Sequence, residues 1–286
     1  MLNKVKILVV GDIIGKGARN AFINYLPTLK EKYNYDIICV NAENTTHGRG
    51  LNHKHYLAYK ELGIDVLTMG NHVIDNKEIY DYIKDTNNLV VPGNINYEVD
   101  EMNNHKVCEI NFNGYKIKFI NLLNTLNKKE NFDLVDPISY FDEVYSKDNK
   151  SIYVIDYHAE MTLQKNVLAY YVDGKASLIY GTHTHVQTAD ERILPNNTAY
   201  ITDVGMCGSI DPVIGYDYHS FISRIKNNTS TVVSSLPPYM INALFVEIDL
   251  DTKKALSIVR INEKMSKPIK AFHTIYYGGF LLWLKY

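Results

Sequence analysis

Residues of the types that bind metal ions are spread along this 286-residue chain. The set comprises two carboxylates, one amide and three imidazoles: Asp12, Glu43, Asn71, His158, His183 and His185. Mixed nitrogen and oxygen donors without a thiolate suit borderline metals such as manganese, iron or zinc. Six ligands are too many for one tetrahedral site, but they suit two ions about 3.5–4 Å apart that share a carboxylate. The residue types therefore predict a centre with two metal ions.

The charge of such a centre indicates its chemistry. Two divalent ions bring about +4, of which Asp12 and Glu43 neutralise two charges. The remaining positive field favours an anionic phosphate oxygen and lowers the pKa of bound water towards about 7. The whole chain has a formal net charge of -2, without the basic excess that binding to duplex nucleic acid uses. We therefore expect hydrolysis of a small or locally recognised phosphoester.

The predicted ligands follow short apolar runs of the chain. These runs are Val5–Val10, Ile37–Val40, Val66–Met69, Ile152–Ile155 and Ala176–Tyr180. The two segments between the first three runs have the apolar spacing of helices: Ala18–Lys32 and His53–Leu62. Buried strands that alternate with helices are typical of a parallel sheet, whose strand ends meet at one edge. Ligands that are distant in sequence are therefore expected to lie close together.

The later part of the chain has a different pattern. Two pairs of alternating segments predict antiparallel hairpins: Val107–Phe112 with Tyr115–Ile120, and Ala243–Leu250 with Ala255–Ile261. Residues 205–238 are rich in Gly, Pro, Asn and Ser and predict a loop that covers the site, whereas residues 265–286 form an aromatic tail of unknown role. The patterns together favour one α/β domain built from two packed sheets with helices outside.

Other common site types do not fit the sequence. Gly11, Gly15 and Gly17 lack the spacing of a dinucleotide-binding loop, and no G-K-[ST] motif is present. The three cysteines are too few and too widely spaced for a disulfide framework or a thiolate zinc cluster. The first apolar run is too short for a signal peptide, and no apolar stretch approaches the length of a membrane span. We expect a cytoplasmic protein without membrane contact, and the aromatic tail suggests a homo-oligomer.

Five motifs resemble the YmdB-type branch of the calcineurin-like metallophosphoesterases. They are V-G-D (10–12), N-A-E-N (41–44), G-N-H (70–72), D-Y-H-A-E (156–160) and G-T-H-T-H-V-Q-T (181–188). The likeness runs from about residue 5 to about residue 262. It implies a four-layer α/β/β/α sandwich of two mixed sheets, with a metallophosphoesterase domain over residues 1–264, a cap-like loop near residues 205–238 and the tail 265–286 outside it.

The resemblance also implies how the ligands divide between the two metals. It places Asp12, Glu43 and His185 on one ion, and Glu43, Asn71, His158 and His183 on the other. Asn44 either adds a ligand or supports one. The usual D-x-H motif of the superfamily is Asp12-Ile13-Ile14 here, and Glu43 replaces the usual bridging aspartate; both departures are shared with the YmdB-type branch. Iron and manganese are the expected metals, with zinc less favoured.

The activity that the resemblance implies is hydrolysis of cyclic nucleotides by a metal-bridged hydroxide. The expected substrate is a 2′,3′-cyclic nucleotide, or an RNA end with a 2′,3′-cyclic phosphate, which is opened to the 3′-phosphate. His72 follows a metal ligand directly and is the expected general acid for the alkoxide leaving group. Asp75 either orients His72 or caps a helix. Two alternatives stay open: a phosphomonoesterase, and a regulatory protein that binds RNA or a protein partner and has weak catalysis.

Several other polar residues have a predicted place near the site. Asp156 and Glu160 flank His158 and are expected to support the ligands or the fold. Asp203 is expected to hydrogen-bond a site histidine. Tyr216 of the cap-like loop is expected to contact the base or ribose of a nucleotide, whereas His47 fits a loop residue better than a substrate contact.

Overall fold

The structure is a computed structural model that describes residues 3–124, 132–210, 213–227 and 236–265. Almost all of the predicted tail 265–286 therefore lies outside the described residues. The strands in these ranges are β1 (Lys4–Val10), β2 (Asp12–Ile13), β3 (Ile37–Asn41), β4 (Val66–Thr68), β5 (Leu89–Val90), β6 (Val107–Phe112), β7 (Tyr115–Leu123), β8 (Ile152–His158), β9 (Leu178–Thr182), β10 (Arg192–Ile193), β11 (Ala199–Ile201), β12 (Met206–Ser209), β13 (Tyr239–Asp249) and β14 (Ala255–Met265).

The helices alternate with the strands in the first half of the chain. They are α1 (Gly15–Tyr33), α2 (His53–Glu61), α3 (Ile79–Tyr82), α4 (Asp100–Asn103), α5 (Pro137–Lys147), α6 (Thr162–Val172) and α7 (Tyr218–Asn227), with a 3₁₀ turn at Ile83–Asp85. Helix α1 buries Phe22, Leu26 and Leu29, as their spacing predicts. It ends at Asn34, whose left-handed backbone closes the last turn with a bond to the carbonyl of Lys30.

The first sheet combines a parallel half with an antiparallel half. Strands β1, β3, β4 and β5 are parallel neighbours. Strand β13 runs antiparallel to β1, with Lys4 opposite Asp249 and Val10 opposite Ala243. Strand β14 pairs with β13, while β12 pairs with the start of β13 and with β2. The sheet order on this side is therefore β2-β12-β13-β1. Strand β2 begins at Asp12, directly after the carboxyl end of β1.

The second sheet has the order β10-β11-β9-β8-β7-β6. Strands β7, β8, β9 and β11 are parallel, and β6 and β10 are antiparallel edges. The two predicted hairpins are confirmed: β6 pairs with β7 around Asn113 and Gly114, and β13 pairs with β14. Asn113 and Gly114 both have positive φ angles, as a tight two-residue hairpin turn requires.

Three hydrophobic clusters hold the sheets and helices together. One joins the first sheet to α1, α2 and α3, with Phe22, Val40 and Tyr59 among its members. The second joins residues of both sheets, such as Ile7 and Phe119. The third joins the second sheet to α5 and α6. The prediction of a mixed α/β fold with two mixed sheets is confirmed.

The region 205–238 differs from its prediction as a loop. Its described residues include strand β12 and helix α7. The sequence pattern hid the strand because Met206–Ser209 is short and includes a glycine. Among the described residues, no helix is both long enough and apolar enough to cross a membrane.

Candidate metal centre

The predicted ligands lie at the carboxyl ends of strands from both sheets. Asp12 begins β2, Glu43 and Asn44 follow β3, Asn71 follows β4, His158 ends β8, and His183 and His185 follow β9. Ligand atoms of Glu43, His158 and His183 all lie within 4.8 Å of one another. The sheet edges therefore bring together the residues that the sequence pattern selected.

One ring nitrogen of His158 is the centre of the most crowded group of donors. Nε2 of this histidine lies 2.9 Å from Asn71 Oδ1, 2.9 Å from His183 Nδ1 and 3.2 Å from Glu43 Oε1. A single imidazole nitrogen carries at most one proton, so it cannot donate to three partners. Lone pairs that converge in this way suit the coordination of a cation between them.

A second group of donors lies beside Asp12. The carboxylate of Asp12 is buried, and its Oδ1 has no hydrogen-bond partner within the part of the chain that the structure describes. Its Oδ2 accepts a long bond of 3.4 Å from the backbone N–H of His183. His185 Nε2 lies 3.2 Å from Asn44 Oδ1. Burial lowers the pKa of His185 and raises that of Asp12, and the nearby Glu43 carboxylate acts to raise both. An unpartnered buried carboxylate oxygen costs free energy unless a cation compensates it, so this group also fits a metal site.

The other ring nitrogen of His158 is held by a chain of hydrogen bonds. Nδ1 lies 2.9 Å from the Thr182 hydroxyl, which donates to Asp156 Oδ1 at 2.6 Å. The second oxygen of Asp156 accepts from Thr68 at 2.5 Å and from Asn41 at 3.2 Å. These hydrogen bonds fix the orientation of the His158 ring, as the outer partners of metal-binding histidines commonly do. Asp156 therefore has the supporting position that the sequence predicts.

Burial and charge shift the pKa values of the site in opposite directions. Burial, followed by the nearby Glu43 carboxylate, raises the pKa of Asp12 well above its usual range. Burial alone would raise the pKa of Glu43, but the charges and hydrogen bonds of His158 and His72 together lower it below its usual range. Burial alone would lower the pKa of His158, but Glu43 and the other nearby carboxylates together raise it to about 9. Burial, followed by His158, lowers the pKa of His183 to about 3. Without a cation, Glu43 and His158 therefore form an ion pair, and His183 stays neutral.

The loop that carries the last two histidines has an unusual backbone. His183 has a φ angle of 97° and His185 has one of 63°. Such angles are uncommon for residues with a Cβ atom and cost about 1–3 kcal/mol where the surroundings impose them. Strain of this kind is concentrated at functional sites.

Glycine at position 70 makes room for two of the candidate ligands. A Cβ atom at Gly70 would lie 2.3 Å from Glu43 Oε2 and 2.6 Å from His158 Cε1. By contrast, the glycines at positions 11 and 17 make room for Gly205 and Tyr239.

We expect Gly70→Ala to lower the affinity for manganese by about 10-fold or more, since the methyl group displaces two ligands. Titration calorimetry on metal-free protein measures this affinity. Gly63→Ala is the control for backbone strain alone: Gly63 has a φ angle of 74°, but a Cβ atom there has nothing within 4 Å, so this variant should lose stability and keep its manganese affinity. Equal affinities of wild type and Gly70→Ala would contradict this role.

His72 lies beside the donors. Its backbone N–H donates to Glu43 Oε2 at 3.1 Å, and its ring Nδ1 lies 2.7 Å from Asp75 Oδ2. Of the two expectations for Asp75, the structure favours the orienting contact with His72. Among the flanking residues, Glu160 Oε2 lies 2.9 Å from His183 Nε2.

Two expectations about nearby residues need correction or refinement. The predicted bond from Asp203 to a site histidine is wrong, because its carboxylate accepts from Lys165 and Thr184 instead. The Tyr216 hydroxyl donates to the Gly48 carbonyl at 3.3 Å, in the same short loop as the exposed His47.

Sequence reasoning missed Lys165 and Thr182. A lysine inside a helical pattern is usually predicted to face solvent. A single threonine does not by itself indicate a position in a site. Gly181-Thr182 preceding the histidines was the only available hint for Thr182.

The fold and the site together define a mixed α/β protein with a candidate metal centre at the carboxyl edge of its sheets. The family model described as YmdB-like protein matches residues 8–261. The chain is 41% identical to the 2′,3′-cyclic-nucleotide 2′-phosphodiesterase of Bacillus subtilis over 262 residues, which cover 90% of this chain and 96% of that protein. The chain therefore belongs to the YmdB-like protein family, and the resemblance inferred from its motifs is confirmed.

Solved structures agree with this assignment. A phosphatase from Mycoplasma pneumoniae superposes with a TM-score of 0.86 at 37% sequence identity, covering 94% of this chain and 96% of that chain. A hypothetical protein from Thermus thermophilus superposes with a TM-score of 0.81 at 27% identity, covering 91% of this chain and 99% of that chain. The likeness extends over nearly the whole of each chain.

Proposed function

We propose that the chain is a phosphodiesterase that uses two metal ions to open 2′,3′-cyclic nucleotides to 3′-nucleotides. The observation that carries this proposal is the convergence of Asn71, His183 and Glu43 on one nitrogen of His158. The unpartnered buried oxygen of Asp12 supports a second ion. The name of the Bacillus subtilis relative supports the choice of substrate.

The ligands divide into two groups that share Glu43. Asp12, Glu43 and His185 would hold one ion, with Asn44 as a further donor beside His185. Glu43, Asn71, His158 and His183 would hold the other ion. Iron and manganese fit these donors well. The three hydrophobic clusters support the four-layer α/β/β/α arrangement of the calcineurin-like enzymes.

Two bound divalent ions would make hydroxide available at neutral pH and neutralise the phosphate oxygens. In the reaction, a water oxygen attacks phosphorus in line with the bond to O2′. That bond breaks, and O2′ takes a proton to become the ribose hydroxyl, while the phosphate stays on O3′. The protein contributes the proton and the position of the substrate.

His72 is the proton donor in this scheme. Because Asp75 holds Nδ1, the proton for O2′ would come from Nε2. The bond from the His72 backbone to Glu43 keeps the ring beside the metal ligands. Tyr216, fixed on the Gly48 carbonyl, is in a position to stack on the base of a nucleotide.

The assay that tests this function uses 2′,3′-cyclic AMP, 3′,5′-cyclic AMP and a phosphomonoester as substrates. We expect turnover of 2′,3′-cyclic AMP with manganese, loss of turnover after chelation, and recovery on adding manganese back. The product should be 3′-AMP, since O2′ is the leaving atom. Turnover of the monoester alone would favour a phosphomonoesterase, and metal-independent turnover would contradict the proposal. The cytoplasmic location, binding to RNA ends and the homo-oligomer stay predictions.

A further inference from the structure

Helix α6 contains a lysine that the proposed reaction does not use. Lys165 is 1% exposed, and its Nζ lies 2.6 Å from Asp203 Oδ2, which is also 1% exposed. Lysine side chains are almost never fully buried unless they are paired. A buried ion pair requires desolvation of both charges, so its presence beneath a site calls for a reason beyond stability.

The partner of Lys165 is tied to the histidine loop. Oδ2 of Asp203 accepts from the Thr184 backbone N–H at 3.2 Å and from the Thr184 hydroxyl at 2.8 Å. Oδ1 accepts from the backbone N–H of Gly205 at 2.8 Å. Thr184 is the residue between His183 and His185, so the carboxylate holds the peptide that joins the two histidines.

The strand end at Gly181 packs closely against the Thr202 backbone and against Lys165, because a Cβ atom at this position would lie 1.9 Å from the Thr202 carbonyl oxygen. A Cβ atom at Gly181 would lie 2.7 Å from Lys165 Cδ and 2.8 Å from Lys165 Cε. The aliphatic part of the lysine therefore crosses the strand end at Gly181 to reach Asp203. A larger residue at this position would clash with the Thr202 carbonyl oxygen as well as with the lysine.

The backbone at the histidines needs such an anchor. The φ angles of 97° at His183 and 63° at His185 are strained and persist only where contacts impose them. Thr184 is the residue between the two, and both of its bonds to Asp203 hold it in place. The Lys165 ammonium in turn neutralises the Asp203 carboxylate and fixes its Oδ2 against Thr184.

We propose that the Lys165–Asp203 ion pair is a positioning device that holds His183 and His185, through Thr184, in the arrangement that binds metal. Neither residue is a ligand, and neither touches the substrate. The proposal rests on the proposed function, because it assumes that both histidines bind metal ions.

Calorimetric titration of metal-free protein with manganese chloride tests the proposal. We expect Lys165→Met to weaken manganese binding by about 10–100-fold, the usual effect of losing an outer partner of a metal ligand. Thr184→Val removes the hydroxyl that donates to Asp203 but leaves the ion pair intact, and it is also expected to weaken manganese binding. The double variant Lys165→Met/Asp203→Asn removes both buried charges, so its melting temperature should recover relative to Lys165→Met while binding stays weak.

Leu168→Ala is the matched control, since Leu168 is buried in the same helix and belongs to the third hydrophobic cluster. It should lower the melting temperature and leave manganese affinity unchanged. Wild-type affinity in the double variant and in Thr184→Val would overturn the positioning role while the metal centre stands. Absence of manganese binding by the wild type would overturn the metal centre itself, and this proposal with it.

Discussion

Replacing Glu43 with glutamine is expected to abolish metal-dependent hydrolysis, with a loss of at least about 10³-fold in kcat. Glu43 is 1% exposed, and its two oxygens face different partners, His158 Nε2 at 3.2 Å and the His72 N–H at 3.1 Å. Glutamine keeps the shape of the side chain but removes the negative charge. Because the carboxylate is assigned to both ions, its loss affects two binding events at once.

Measurement of metal content separates this explanation from misfolding. Purified Glu43→Gln should contain well below two manganese ions per chain after equilibration, with an unchanged circular dichroism spectrum. Asp65→Asn is the control, since Asp65 is an exposed carboxylate that precedes β4, at the opposite end of the strands of the same sheet, and accepts from the Ile38 backbone N–H. Full metal content and activity in Glu43→Gln would show that the bridging role is wrong.

Replacing His72 with glutamine is expected to lower kcat for 2′,3′-cyclic AMP by about 10²–10⁴-fold. The alkoxide at O2′ is a poor leaving group, and its departure requires a proton, which the proposed mechanism assigns to His72. Metal content should stay at the wild-type value, because the backbone N–H of residue 72 still donates to Glu43 and the side chain is not a ligand. The reduced kcat should therefore be a defect of the chemical step alone.

A second substrate isolates the proton transfer. Bis-p-nitrophenyl phosphate releases a phenolate that needs no proton, so His72→Gln should lose much less activity on it than on 2′,3′-cyclic AMP. Asp75→Asn should lose about 10–100-fold on the cyclic nucleotide, as expected for a residue that orients the imidazole. An equal loss of His72→Gln on both substrates would assign His72 to substrate binding rather than to acid catalysis.

The positions of the candidate ligands followed from one physical regularity. Asp12, Glu43, Asn71, His158 and the two histidines after β9 each come after a buried strand, and strand ends in parallel sheets meet at an edge. The Asn113-Gly114 turn was equally visible, because positive φ angles at two successive residues select those residue types. Local chemistry specified these features, so the sequence alone revealed them.

Contacts between distant segments could not be predicted in this way. Lys165 resembles any surface lysine of a helix, and its burial depends on Gly181 and Asp203 in other elements. The expected bond from Asp203 to a histidine was wrong because the sequence does not specify which residue of the loop turns towards it. Strand β12 forms because it pairs with β13, and no local pattern in Met206–Ser209 indicates this pairing.

The candidate ligands are proposed to hold two metal ions, and a crystal structure of the manganese-loaded protein tests this most directly. Anomalous scattering at the manganese edge locates the ions independently of the protein coordinates. We expect two peaks about 3.5–4 Å apart, one beside Asp12 and His185 and the other beside Asn71, His158 and His183, with Glu43 bound to both. A single peak, or peaks away from Glu43, would contradict the account.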